Sequence, residues 1–186
     1  NLNQYASFWG FGDEQMKYSE VKALAGGVTA IQGSPASYTS GWDDILVRNI
    51  ELDTFGQGDE IHTKVTTLED DYVGAHITRG NESRTLDGWY LHLAEGVDES
   101  SRAEFDILVQ NGLLVDELIL VHGTALTPAE FQQMGAVGAD LVWSPLSNLL
   151  LYGNTTDVRA ADRNGVRISL APDWSPSGAK SSLHEL

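Results

Sequence analysis

The chain contains no cysteine, so it has no disulfide framework and no thiolate metal site. Any metal it held would be coordinated by histidine and carboxylate. Basic residues are scarce as well: 11 Lys and Arg stand against 27 Asp and Glu, a formal charge of -16. A surface this acidic, with no visible Lys/Arg cluster, repels phosphate backbones and anionic lipid faces, which argues against nucleic-acid and membrane partners. Long apolar runs are missing too. None approaches the roughly 20 residues needed to cross a bilayer, and the N-terminus shows neither a basic region nor a cleavage-type apolar stretch. Prolines number only five, while hydrophobic residues make up 41% and charged residues 20%. That is the composition of an ordinary soluble globular domain, expected in the cytoplasm.

What is there reads as alternating strands and helices. Apolar positions Met16, Val21, Leu24 and Ala25 fall at helical spacing over residues 13–25, and Gly26-Gly27 follows where a helix C-terminus favours glycine. Val28-Thr29-Ala30-Ile31 is short and β-branched, as a buried parallel strand requires. A Ser/Pro/Gly-rich loop over 33–40 precedes a second strand expected over 45–50. The stretch 53–73 mixes glycines, acids and β-branched residues and supports no assignment.

The second half is clearer. Trp89-Tyr90-Leu91-His92-Leu93 is followed by a helix expected over 99–111. Leu118-Ile119-Leu120-Val121-His122 is followed by one over 128–135, and Leu141-Val142-Trp143 by one around 156–163. Val166-Arg167-Ile168-Ser169-Leu170-Ala171 closes the series. Strands at this spacing, each with an intervening helix, are what parallel βα units require, so the chain is of the α/β class.

In such folds the residues that act on substrate gather at the C-terminal ends of the strands. His92 ends one apolar run and His122 the next, Ser144-Pro145-Leu146-Ser147-Asn148 follows the third, and Asp173 the fourth. Taken singly, a histidine at a strand end is more often a satisfied structural residue. Together, two imidazoles and a carboxylate at one end of three strands supply the N and O ligands suited to Zn²⁺ or Fe²⁺. Glu95, three residues beyond His92, is placed to carry a proton to a departing nitrogen. Its plainer reading is an acidic residue in the first turn of the next helix, where the helix dipole favours negative charge.

Tyr90-Leu91-His92-Leu93-Ala94-Glu95, Val121-His122-Gly123-Thr124-Ala125-Leu126, Trp143-Ser144-Pro145-Leu146-Ser147-Asn148 and Leu170-Ala171-Pro172-Asp173 occur in an order that resembles the amidohydrolase superfamily. Within it the resemblance is to the branch of cytosine deaminase, guanine deaminase and the triazine hydrolases. It implies a (β/α)8 TIM-type barrel and hydrolysis of a carbon–nitrogen bond in a small cyclic amide or amidine. It also implies one divalent metal, Zn or Fe. Residue by residue, His92 matches the fifth-strand metal ligand, Glu95 the proton-shuttling carboxylate and His122 the sixth-strand histidine. Asp173 matches the eighth-strand aspartate, which binds metal and takes a proton from the attacking water. Residues 144–148 resemble the seventh-strand loop, which puts Ser147 and Asn148 near substrate.

The resemblance is good from Tyr90 to Leu186 and, upstream, covers only residues 23–34. At 186 residues the chain is short of the about 250 that a whole barrel needs. The family's paired first-strand histidines are absent, so the resemblance places one strand and two ligands before Asn1, and the last helix and flanking β-sandwich after Leu186. Both ends are expected to be cuts. Residues 1–186 are therefore read as a partial metal-dependent barrel domain. A second reading stands beside this: a truncated, inactive barrel or binding module lacking the first-strand ligands. A barrel missing its first strand has open edges, which predicts homo-oligomerisation or association with the missing segments of its own chain.

Other residues receive plain readings. His62 and His76 are expected in a polar loop region and His184 in the final helix. Lys64 is not assigned as the carboxylated bridging lysine of binuclear relatives, because its surroundings do not end a clear apolar strand. Tyr38, Trp42 and Tyr72 are the aromatics available to stack on a planar ring.

Overall fold

The computed structural model describes residues 12–32, 46–50, 61–64, 71–174 and 177–186. The chain divides by its contacts into two units, residues 1–58 with 181–184 and 186, and residues 59–180 with 185.

In the first unit, helix α1 (Gly12–Ala25) stops at Gly26-Gly27, and Gly27 takes the left-handed conformation (φ 82°) that lets the chain leave the helix. Strand β1 (Ala30–Ile31) pairs parallel with β2 (Arg48–Asn49). Both strands are shorter than expected, and Tyr38 and Trp42 lie outside the described residues. Buried Glu20 accepts a hydrogen bond from the Leu46 backbone N–H at 3.3 Å.

The second unit holds a five-stranded, wholly parallel sheet in the order β3 (Ile61–Lys64), β4 (Gly88–Leu93), β5 (Leu118–His122), β6 (Asp140–Trp143) and β7 (Ile168–Leu170). Each strand pairs with the next in sequence. The connections are helical: α2 (Asp71–Ser83), α3 (Glu99–Gln110), α4 (Pro128–Val137), and then α5 (Pro145–Tyr152) and α6 (Val158–Arg163) together. A short helix, α7 (Ser182–Glu185), follows and has residues 182–184 in the first unit. The α/β class with a parallel sheet is as the apolar runs predicted.

Three readings of the sequence are corrected. His62 lies in β3 and His76 in α2, not in a polar loop region. Lys64 does end a strand, opposite Leu91 of β4. The segment after β6, expected as a loop, is helix α5. His62 and Lys64 were missed because β3 is defined by its pairing with β4, a long-range partner that local composition does not reveal. The third had a local signal in Pro145, which sits at the first position of α5, where its missing N–H costs nothing.

Sequence explains the sharp ends of these helices. Asp98 caps α3, accepting from the Ser101 backbone N–H at 2.8 Å, and the bonds from Ser101 hold its carboxyl below the usual value. Thr127 and Glu130 form a reciprocal capping box at the start of α4, which ends at Gly138 (φ 88°). Ser144 gives α5 no side-chain cap; instead Glu185 accepts from the Leu146 backbone N–H at 2.9 Å. Between sheet and helices lies one core, with Trp89, Leu91, Leu118, Leu120 and Leu141 from the strands against Phe105, Leu108, Phe131 and Met134 from α3 and α4.

Phe131 is completely buried, so Phe131→Ala should cost about 3–5 kcal/mol in urea unfolding. Thr127→Ala, which breaks the capping box, should cost about 1 kcal/mol. Equal losses for the two would contradict this division between core and cap.

Candidate active site

Strand pairing sets the histidines side by side. In the β4–β5 register His92 faces Val121 and Leu93 faces His122, so regular alternation would send the two imidazoles to opposite faces of the sheet. His122 does not keep strand geometry: its φ is 73°, in the left-handed region. The chain turns there, and the ring of His122 comes to 5.4 Å from that of His92, with the planes 53° apart. A non-glycine residue in this conformation costs about 1–3 kcal/mol and persists only where its surroundings enforce it.

A second left-handed residue, Ala94 (φ 53°), follows β4, and its N–H donates to Glu104 at 2.7 Å. The turn brings Glu95 back over the strand ends. Glu95 lies before α3 and its Asp98 cap, so it is not a first-turn helix acid. Its Oε1 is 3.6 Å from Nε2 of buried His122 and accepts a hydrogen bond from the Tyr152 hydroxyl at 2.9 Å.

Helix α5 reaches all three remaining groups. Ser147 donates to Oδ2 of Asp173 at 2.5 Å and shares a second contact with Ser177 at 2.9 Å. Asn148 Oδ1 lies 3.0 Å from Nδ1 of His122, and its Nδ2 donates to Thr156 at 3.2 Å. One turn on, at the i+4 spacing that keeps side chains on one helix face, Tyr152 holds Glu95. Ser147 and Asn148 were expected near substrate; the structure buries both completely and bonds them to Asp173 and His122. Asp173 is itself left-handed (φ 62°).

Tyr152, Thr156 and Ser177 were not singled out from the sequence. Once residues 145–152 are read as a helix opened by proline, the Asn148–Tyr152 spacing points to Tyr152. Thr156 and Ser177 carry no comparable local signal.

Does this cluster fit a divalent cation? The histidines do. Asn148 engages Nδ1 of His122, the outer contact that ligating histidines commonly make, and so leaves Nε2 facing the cluster. The three-donor set expected of His92, His122 and Asp173 is not assembled: among the described residues no three His, Asp or Glu side chains stand close enough together to hold a metal ion. Asp173 is engaged by Ser147 instead.

Burial, the bond to Glu95 and the charges of Glu95 and Asp173 push the Tyr152 phenol up from 10.0 to about 12. The raised value means that the folded chain keeps this proton longer than the unfolded chain. The resulting stability is complete below pH 10 and is lost as pH rises through about 12. Ultraviolet phenolate titration of the wild type minus Tyr152→Phe should isolate a tyrosine ionising near 12. A difference curve centred on 10.0 would disprove the contact with Glu95.

Comparison with known proteins adds an independent line. No protein-family model matches the chain. A 5-methylthioadenosine/S-adenosylhomocysteine deaminase of Pyrococcus abyssi is 30% identical over 94 residues, 47% of this chain and 22% of that protein. The chain thus spans well under half the length of this relative. Among solved structures, a zinc-bound adenosine deaminase of Xanthomonas campestris superposes with a TM-score of 0.61 at 20% identity, covering 89% of this chain and 47% of that one. A triazine hydrolase of Arthrobacter aurescens superposes at 0.65 and 13% identity, covering 96% and 54%. The chain is therefore similar in sequence to deaminases and in fold to the deaminases and triazine hydrolases of the amidohydrolase superfamily, the group its four motifs resemble.

Proposed function

We propose that residues 1–186 are part of an incomplete (β/α)8 barrel of an amidohydrolase-type enzyme that hydrolyses a non-peptide carbon–nitrogen bond in a small cyclic amide or amidine. The observation that carries this is the meeting of His92, His122 and Glu95 at the C-terminal ends of β4 and β5. Rings 5.4 Å apart and a carboxylate 3.6 Å from Nε2 depend there on two left-handed residues. Such strain concentrates at functional sites.

In this reading His92, His122 and Asp173 would hold one divalent cation, zinc or iron, with Asp173 exchanging its bond from Ser147 for the cation. A bound cation of this kind acidifies water, so that a nucleophile is available at neutral pH. The attacking water gives up two protons, one to Asp173 and one to Glu95. As the C–O bond forms and the bond to an exocyclic amino nitrogen breaks, Glu95 passes its proton to that nitrogen, which leaves as ammonia, and the proton on Asp173 goes to the ring nitrogen or to solvent. The Tyr152 hydroxyl holds Glu95 through Oε1, and the second carboxyl oxygen would be the one to meet the substrate nitrogen. The names of the relatives make 5-methylthioadenosine and S-adenosylhomocysteine the first substrates to try, followed by aminotriazines.

Glu95→Gln keeps the shape of the side chain and removes its proton transfer. It should lower kcat for ammonia release by about 10²- to 10⁴-fold while zinc or iron content, read by plasma emission, is unchanged. Full activity in this variant would rule out the assigned role.

The absence of a three-donor group among the described residues favours a second reading, an inactive barrel piece or binding module. The sheet of the second unit has β3 and β7 as its edges, and pairing there with another copy or with further segments of its own chain would be the way to complete the site. Gel filtration followed by metal analysis separates the readings. One tightly held cation per chain in an active species supports the hydrolase. A metal-free species that binds 5-methylthioadenosine without releasing ammonia supports the module.

A further inference from the structure

We propose that Asn148 and Thr156 are positioning residues that lock neutral His122 in a single tautomer, with the proton on Nδ1 and the lone pair on Nε2. One group in this chain of contacts has a fixed polarity. The main-chain carbonyl of His122 only accepts, so the Thr156 hydroxyl, 2.6 Å away, spends its one proton there. Thr156 Oγ1 can then only accept from Asn148, 3.2 Å away, so the Asn148 amide must turn its NH₂ to Thr156. That leaves Asn148 Oδ1 facing Nδ1 of His122 at 3.0 Å, an acceptor that requires an N–H.

The three contacts close a ring that starts and ends on His122, and only one direction of donation satisfies every member. Turning the amide over would set two acceptors against each other at Thr156, while its NH₂ would then ask for a bare Nδ1 on His122. No water relieves such a mismatch cheaply, because His122, Asn148 and Thr156 are 1%, 0% and 3% exposed. The ring also anchors the carbonyl of a residue in the left-handed conformation (φ 73°), so backbone strain and ring chemistry are held by the same two side chains.

The consequence lies at Nε2, which faces Glu95 Oε1 at 3.6 Å. In the proposed tautomer an imidazole lone pair and a carboxylate oxygen face each other across a gap too long for a hydrogen bond. In that tautomer the gap suits something electron-poor, a cation or the N–H of a bound amidine, in place of a proton on Nε2. The proton on Nδ1 follows from the ring alone; the lone pair on Nε2 and its use in holding a cation rest on the reading above.

The test is nitrogen NMR of the 186-residue chain labelled in histidine, with His122→Gln identifying the signals. The wild type should show an N–H at Nδ1 and an unprotonated nitrogen at Nε2. Thr156→Val, nearly the same size, frees the amide to turn and should mix or reverse the pattern, whereas Thr156→Ser should restore it. Zinc titrated against the same samples should bind about 10- to 100-fold more weakly to Thr156→Val than to the wild type. A wild type protonated at Nε2, or a Thr156→Val spectrum identical to it, overturns the proposal. A wild type with the expected nitrogen pattern that ignores zinc upholds the tautomer and sinks the metal reading, so the two fail separately.

Discussion

The left-handed turn at His122 is the constraint on which the site depends. Parallel pairing of β4 and β5 offsets the two histidines by one residue, and a one-residue offset in a strand means opposite faces. Only a break in strand geometry at the last residue of β5 lets the imidazoles meet. The cost of that break is met by buried polar contacts: Thr156 holds the carbonyl and Asn148 the ring. A glycine would take the conformation freely but would bring no imidazole. The neighbouring Gly123, also left-handed (φ 61°), continues the turn at the point where a side chain would meet Leu120.

Helix α5 converts that local arrangement into a connected one. Over eight residues it supplies Ser147 to Asp173, Asn148 to His122 and Tyr152 to Glu95. Its own start is held by Glu185 and its end by left-handed Gly153. A helix fixed at both ends places three side chains more exactly than a loop of the same length, because each rotamer is referred to one rigid axis. Leu149, Leu150 and Leu151, between the contact residues, are exposed. The inward face is thus the polar one, the reverse of an ordinary amphipathic surface helix. That inversion makes sense if the helix exists to serve the strand ends.

Much of this was legible in the sequence, and the part that was not has a common cause. The runs ending in His92 and His122 gave their strands nearly to the residue, because a strand buried on both faces is a continuous apolar block bounded by polar ends. The caps at Asp98 and Thr127 are local, and the helices they open begin where the pattern predicted. Strand β3 was invisible: His62-Thr63-Lys64 carries little apolar signal and is a strand by virtue of β4. The candidate residues were legible by order, but their partners were not. Asn148 lies 26 residues from His122, and Tyr152 lies 57 from Glu95. No periodicity within one element encodes a contact of that range. Misreading residues 145–148 as a loop also hid the spacing that would have exposed Tyr152.

The position of Asp173 is the most informative departure from expectation. A carboxylate meant only to be buried would be paired with a cation or with several backbone N–H groups. Asp173 instead remains partly exposed, on left-handed backbone, and accepts from Ser147, whose hydroxyl also meets Ser177. A serine is a neutral, rotatable donor that gives up such a bond at low cost. It holds the carboxylate in a defined place without neutralising it, and its charge is still felt at Tyr152. Two carboxylates therefore face one site through different restraints: Glu95 through a phenol that resists ionisation, and Asp173 through a hydroxyl that yields easily. In the hydrolase proposed above, one acid held firmly and the other loosely would suit a reaction that takes a proton up at one position and delivers it at another.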